Sequence, residues 1–160
     1  EHFGAENLLP MITAASESNK LISPDFHKEF SIPYLRTVFE RMMELKVDKA
    51  LFHICSEQNP NLRNYMELTY PINTIFSVGP EMDLQKMAEL FPQHIIAGNI
   101  DPMKFLQSKP QEIFAECCDM IQTMSKTDAR FILMTGCDVP PNAPPVNVFQ
   151  MVRASKAMAK

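Results

Sequence analysis

Short apolar runs alternate with segments of helical period along almost the whole chain, and no other feature limits the fold as much. Residues 49–55, centred on Ala50-Leu51-Phe52-His53-Ile54, are too few for a helix and almost uniformly apolar, as a parallel strand buried on both faces must be. Residues 73–78, 94–97 and 130–135 read the same way, and 7–13 give a possible strand ahead of them, followed by a polar loop over 14–20. Between the strands the period lengthens. Ser23 can cap a helix with Pro24 in its first position, and Phe26, Phe30, Tyr34, Leu35, Val38, Phe39 and Met42 recur at helical spacing, with Pro33 expected to split the run in two. Further helices are predicted over 61–68, 83–91, 111–124 and 146–159, with loops at 98–102 and 136–145. Strands alternating with helices mean βα units on a parallel sheet, the α/β class.

Length then decides how many units fit. The 160 residues show no linker, repeat or low-complexity tract and read as a single domain, 1–160. A closed (β/α)8 barrel takes about 250 residues and rarely fewer than about 200, so four clear strands and one possible amount to half of one. Only four glycines against 13 prolines fits helices with stiff connections better than a hairpin-rich fold. Fifteen Lys and Arg against 19 Asp and Glu leave a net charge of −4 without a basic run, which argues against a nucleic-acid partner. No apolar stretch approaches the roughly 20 residues of a membrane span, Glu1 does not begin a signal peptide, and the four cysteines form no CxxC pair. Reduced thiols in a cytoplasmic protein are the expectation.

The strongest local signal is His53-Ile54-Cys55. Side chains two apart on a strand share a face, so His53 and Cys55 point together at the end of their strand, and Cys137 lies just past the end of the last one. One His and two Cys from separate strand ends can make a three-ligand zinc site with its fourth position open. Spacing alone is a weak signal for a metal, and on that ground the plainer reading, a core histidine and two inert thiols, is favoured. Cys117 and Cys118 sit mid-helix and are read as packing. Asn99 and Asp101, like Glu57 and Asn59, follow strand ends; Asp101 can cap a helix and Asn99 can satisfy loop backbone, or both can touch a substrate. Glu81 and Asp83 read as loop and cap, and the helical methionines as core filler.

Several separated segments together resemble a known family. Leu21-Ile22-Ser23-Pro24-Asp25-Phe26 leading to Pro33-Tyr34-Leu35, then His53-Ile54-Cys55, Gly98-Asn99-Ile100-Asp101-Pro102 and Thr135-Gly136-Cys137-Asp138-Val139-Pro140-Pro141, with Pro144 and Asn147-Val148, resemble the C-terminal half of the uroporphyrinogen decarboxylase superfamily. They look most like its corrinoid-dependent methyltransferase branch, over about residues 7–158.

The resemblance implies a (β/α)8 barrel of which this chain supplies the later strands. It also implies zinc on His53, Cys55 and Cys137, and transfer of a methyl group from a methylated corrinoid (cobalamin) on a partner protein to a small thiol acceptor. Cys55 and Cys137 as thiolates would balance the metal's charge, and a thiol at the open position would lose its proton while remaining nucleophilic. Asn19, Asn99 and Asp101 become candidates for lining the cofactor pocket. Where the family often has Gly after Cys55, this chain has Ser56-Glu57-Gln58-Asn59-Pro60-Asn61, so the methyl acceptor does not carry over. Two alternatives stand beside this reading: a decarboxylase acting on a porphyrinogen or similar compound without zinc, and a non-catalytic half-barrel that needs a complementary chain. The chain starts at Glu1 without Met and is expected to be a piece of a longer enzyme, completed by a missing N-terminal half or by a second copy of itself.

Overall fold

The computed structural model describes residues 7–159. In it, β1 (Met11–Thr13), β2 (Lys49–Ile54), β3 (Asn73–Val78), β4 (Ile95–Ile100) and β5 (Arg130–Thr135) form one sheet in sequence order, every neighbouring pair parallel. Each crossover is helical: α1 (Pro24–Phe30) and α2 (Ile32–Glu44), α3 (Leu62–Tyr65), α4 (Leu84–Leu90), then α5 (Lys104–Gln107) and α6 (Pro110–Met124), with α7 (Pro145–Met158) after β5. This is an α/β half-barrel, as the alternation predicts.

Local chemistry sets the helix starts. Ser23 caps α1 by accepting from the Phe26 amide, and Asp83 caps α4 by accepting from the amides of Gln85 and Lys86. Pro33 does not end a helix; it occupies the first turn of α2, where its missing N–H costs no hydrogen bond, and the break falls at Ser31. The first strand is shorter than the apolar run suggests, three residues instead of seven. Only Leu62–Tyr65 of the predicted 61–68 helix is α-helical, preceded by a 3-10 turn at Asn59–Asn61. The largest difference is in β4, which continues through Gly98, Asn99 and Ile100 where a loop is predicted. Gly and Asn are poor strand formers, but pairing of Gly98, Asn99 and Ile100 with Leu133, Met134 and Thr135 of β5 overrides that preference.

Alternation along the strands sorts side chains to two faces. Phe52, Ile54, Phe76, Val78 and Ile96 point to the helices and are buried, joined there by Phe39 of α2, Tyr65, Tyr70, Met87 and Phe91. Aromatic rings dominate this layer: Phe39 meets Phe52 edge-on at 5.4 Å, Tyr70 meets Phe76 at 5.0 Å, and Phe76 lies 4.6 Å from Phe91. A smaller cluster of Ile100, Phe105, Ile113, Cys117 and Ala154 joins α5, α6 and α7. Cys117 packs there as expected, and burial pushes its thiol up to about 12. The other sheet face carries one row across the register, Thr13, His53, Ser77, Ala97 and Ile132.

Candidate metal centre

His53 and Cys55 rise from this row at the C-terminal end of β2, and Cys137 comes from the turn after β5. Neighbouring strands lie about 4.8 Å apart, so a flat sheet would hold β2 and β5 roughly 14 Å from each other. The Cys55 and Cys137 sulfurs are nevertheless 3.9 Å apart, and the ligand atoms of all three residues lie within 4.8 Å of one another. Curvature of the sheet, with the post-β5 turn folding over its concave side, brings them together.

Close backbone approaches make this possible. Gly136 precedes Cys137, and a Cβ there would lie 2.7 Å from Pro80 Cδ, 2.8 Å from Pro80 N and 3.2 Å from the Asn99 carbonyl oxygen. Gly79 plays the same part beside Cys55, since a Cβ on it would meet the Ser56 amide nitrogen at 2.7 Å. Each glycine lets one strand-end turn seat against the next.

The donor set fits zinc. Zinc with Zn–S bonds of about 2.3 Å in a tetrahedral arrangement sets two sulfurs roughly 3.8 Å apart, close to the separation found, and a nitrogen with two sulfurs is a soft set suited to that ion. His53 Nδ1 lies 3.1 Å from the Ser77 hydroxyl, which orients the ring and leaves Nε2 as the coordinating nitrogen. Burial holds the His53 imidazole below its ordinary value, opposed by its hydrogen bond at Ser77 and by the Asp138 carboxylate. That favours the neutral form a metal requires. Burial, and then the neighbouring Cys137, raises the Cys55 thiol. Two adjacent thiolates repel, and a dication would relieve that repulsion.

The three residues open into a cavity of about 340 Å³ whose walls include Met11, Thr13, Ser77, Met134, Asp138 and Val139. Among the described residues these three are the one His/Cys/Asp/Glu group with such geometry.

Residues 8–158 match the uroporphyrinogen decarboxylase family. The chain belongs to that family. Among curated proteins it is 29% identical over 139 residues to the methylcobamide:CoM methyltransferase MtbA of Methanosarcina acetivorans, and 30% identical over 141 residues to the protein of the same name from Methanosarcina mazei. Each match covers 87% of this chain and 39% of the relative, so the chain spans about two fifths of their length. A solved structure of a methyltransferase from Methanosarcina mazei superposes with a TM-score of 0.73 over 92% of this chain and 41% of that one, at 24% identity, which supports the shared fold.

The remaining candidates from the sequence lie elsewhere. Asn99 spends its amide on the carbonyls of Gly79 and Met82, at 3.0 and 2.8 Å, and with Asp101, Lys104 and Glu116 it lines a polar recess separate from the cavity of the triad. Asp101 accepts from the Met103 amide at 2.9 Å. Asn19 donates to Asn61 Oδ1 at 2.8 Å and to the Ile22 carbonyl, and its own Oδ1 is buried without a partner among the described residues. Asn59 donates its side-chain amide to the Glu57 carboxylate and to the Glu81 carbonyl. Ser77 escaped the sequence reading, although it stands directly beside His53 in the register.

Proposed function

We propose that this chain carries the zinc-binding part of a corrinoid-dependent methyltransferase, which moves a methyl group from a methylated corrinoid on a partner protein to a small thiol acceptor. The observation that carries the reading is the convergence of His53, Cys55 and Cys137 with two sulfurs at the spacing of a tetrahedral metal. The named methylcobamide:CoM methyltransferases among its relatives support the reaction class.

His53, Cys55 and Cys137 would hold the zinc, which would supply a Lewis acid for an acceptor thiol. The protein's part is placement. Ser77 fixes the His53 ring, Gly79 and Gly136 bring the two sulfur-bearing turns together, and Met11, Met134 and Val139 give the cavity apolar walls that shed water from an incoming methyl group. Asn19, Asn99 and Asp101 are proposed to shape the surrounding loops that meet the corrinoid.

The domain, 1–160, is proposed to act as the C-terminal half of a complete barrel in the reducing cytoplasm. β1 and β5 are the outer strands of the sheet, and an apolar groove of Val139, Pro141, Val148, Phe149 and Val152 flanks α7. A preceding half-barrel or a second copy would cover these surfaces. No helix among the described residues is long and apolar enough to cross a membrane.

Elemental analysis tests the reading. One zinc per chain is expected after purification in its presence, with loss in His53→Ala, Cys55→Ala and Cys137→Ala. A folded wild-type protein that takes up no zinc and binds a tetrapyrrole would overturn it in favour of a decarboxylase-like role.

A further inference from the structure

The turn that carries Cys55 out of β2 rests on a buried polar network that the proposed chemistry leaves unused. Gln58 is fully buried, and its Nε2 donates to the Cys55 carbonyl at 2.9 Å and to the Ala14 carbonyl. Its Oε1 lies against the Tyr65 hydroxyl and 3.4 Å from Asn61 Nδ2. The same hydroxyl is 2.8 Å from Glu17 Oε2, which pairs with His27 Nε2 at 3.1 Å. Asn64 Nδ2 in turn faces His27 Nδ1 at 3.1 Å and donates to the Pro24 carbonyl at 2.8 Å. Asn61 Nδ2 donates to the Glu17 carbonyl at 2.8 Å. The network thus ties together the loops that follow β1 and β2, the start of α1, and α3.

So many polar groups are costly to bury unless each is paired, and apolar residues of similar shape could fill the same space. What a satisfied network adds is a single geometry for the atoms it binds. Here the bound atom is the carbonyl of Cys55. The next residue, Ser56, is held at φ 63°, a left-handed conformation uncommon for a residue with a Cβ, with its amide against Gly79.

We infer that Gln58, clamped by Tyr65 and Asn61, is a positioning residue that holds the Cys55 thiol in place opposite Cys137. Its metal-dependent consequence rests on the zinc reading above; the placement of the thiol does not.

The test compares Gln58→Met, which keeps the shape and removes every side-chain hydrogen bond, with Tyr65→Phe, which keeps the buried ring and removes only the hydroxyl. Asn147→Ala is the control, deleting a buried amide that donates to the Phe105 and Ser108 carbonyls and touches none of these groups. In metal-free native protein, alkylation of each cysteine by iodoacetamide is followed by peptide mass spectrometry. Cys55 is expected to react about tenfold faster in Gln58→Met and about threefold faster in Tyr65→Phe, with Cys137 unchanged. Zinc affinity by chelator competition is expected to fall by about 10- to 100-fold in Gln58→Met. The control is expected to melt lower while keeping wild-type alkylation rates and affinity.

Wild-type Cys55 reactivity in both folded variants, or an equal acceleration in the control, would overturn the inference. If Gln58→Met does not fold, Tyr65→Phe decides alone. If wild type takes no zinc, the zinc reading fails and the alkylation rates still decide whether Cys55 is braced.

Discussion

The Cys55 and Cys137 sulfurs lie 3.9 Å apart although β3 and β4 stand between the strands that carry them. Their separation is close enough for one ion and too long for a disulfide, whose sulfurs sit about 2.05 Å apart.

Replacing either sulfur ligand should separate metal binding from folding. Cys137 is exposed, so Cys137→Ser is expected to change the stability of the metal-free protein by no more than about 0.5 kcal/mol while abolishing tight zinc binding. Urea unfolding with and without a chelator would check this. In wild type the midpoint should drop on chelation, and in the variant the two curves should coincide.

Ser77 touches His53 and not the proposed ion, so its removal should be felt at one remove. Ser77→Ala is expected to weaken zinc by about 10- to 100-fold, with unfolding free energy lowered by only about 1 kcal/mol. Chelator titration alongside denaturant melts would measure both. Unchanged zinc affinity would mean that the imidazole needs no anchor.

Gly136→Ala should damage site and fold together. The added carbon would fall 2.7 Å from a proline ring carbon and 2.8 Å from that proline's backbone nitrogen, and a proline cannot readily give way. A loss of about 1–3 kcal/mol is expected, accompanied by weaker zinc binding because the turn carrying Cys137 must lift. Calorimetry and metal titration on the same sample would show whether the two losses occur together.

His94 gives the fold an acid-sensitive element. It is buried edge-on against Tyr70 and Phe76 with Nδ1 unpartnered among the described residues. Burial first, and then the Arg130 charge, holds its imidazole below the ordinary value. Above about pH 6.5 both folded and unfolded states are neutral here and the stability is fully present. As the pH falls through that value the unfolded chain takes up the proton first, so stability declines until the lower folded value is passed. Denaturant midpoints from pH 7.5 to 5 should fall in wild type and fall less steeply in His94→Phe. His53, shifted in the same direction, accounts for part of the slope that remains.

The parts of this molecule legible in the sequence are those decided by near neighbours along the chain. The bounds of β3 and β5 coincide with the apolar runs at 73–78 and 130–135; β3 is buried along most of its length, whereas β5, an outer strand, keeps the apolar run while staying partly exposed. His53 and Cys55 could be paired on one face from their spacing alone. Gly98 and Asn99 misled because their strand conformation comes from a partner strand more than thirty residues away. Residues 61–68 hold only a short helix, since Asn61 and Asn64 direct their side chains to the loop after β1 and to α1. The Gln58 network was invisible for the same reason: its contacts with Ala14 and with Glu17 through Tyr65 span 44 and 48 positions.

Cys55 and Cys137 also stand 82 positions apart, with β3, β4, β5 and the helices between them inside that interval. An ion gripping both sulfurs would close this stretch into a ring, as a covalent cross-link does. Chain-entropy arguments assign such a closure about 4–5 kcal/mol, drawn from the freedom the unfolded chain gives up. The ion would then act as a fastener for the central strands as well as an activator of thiols.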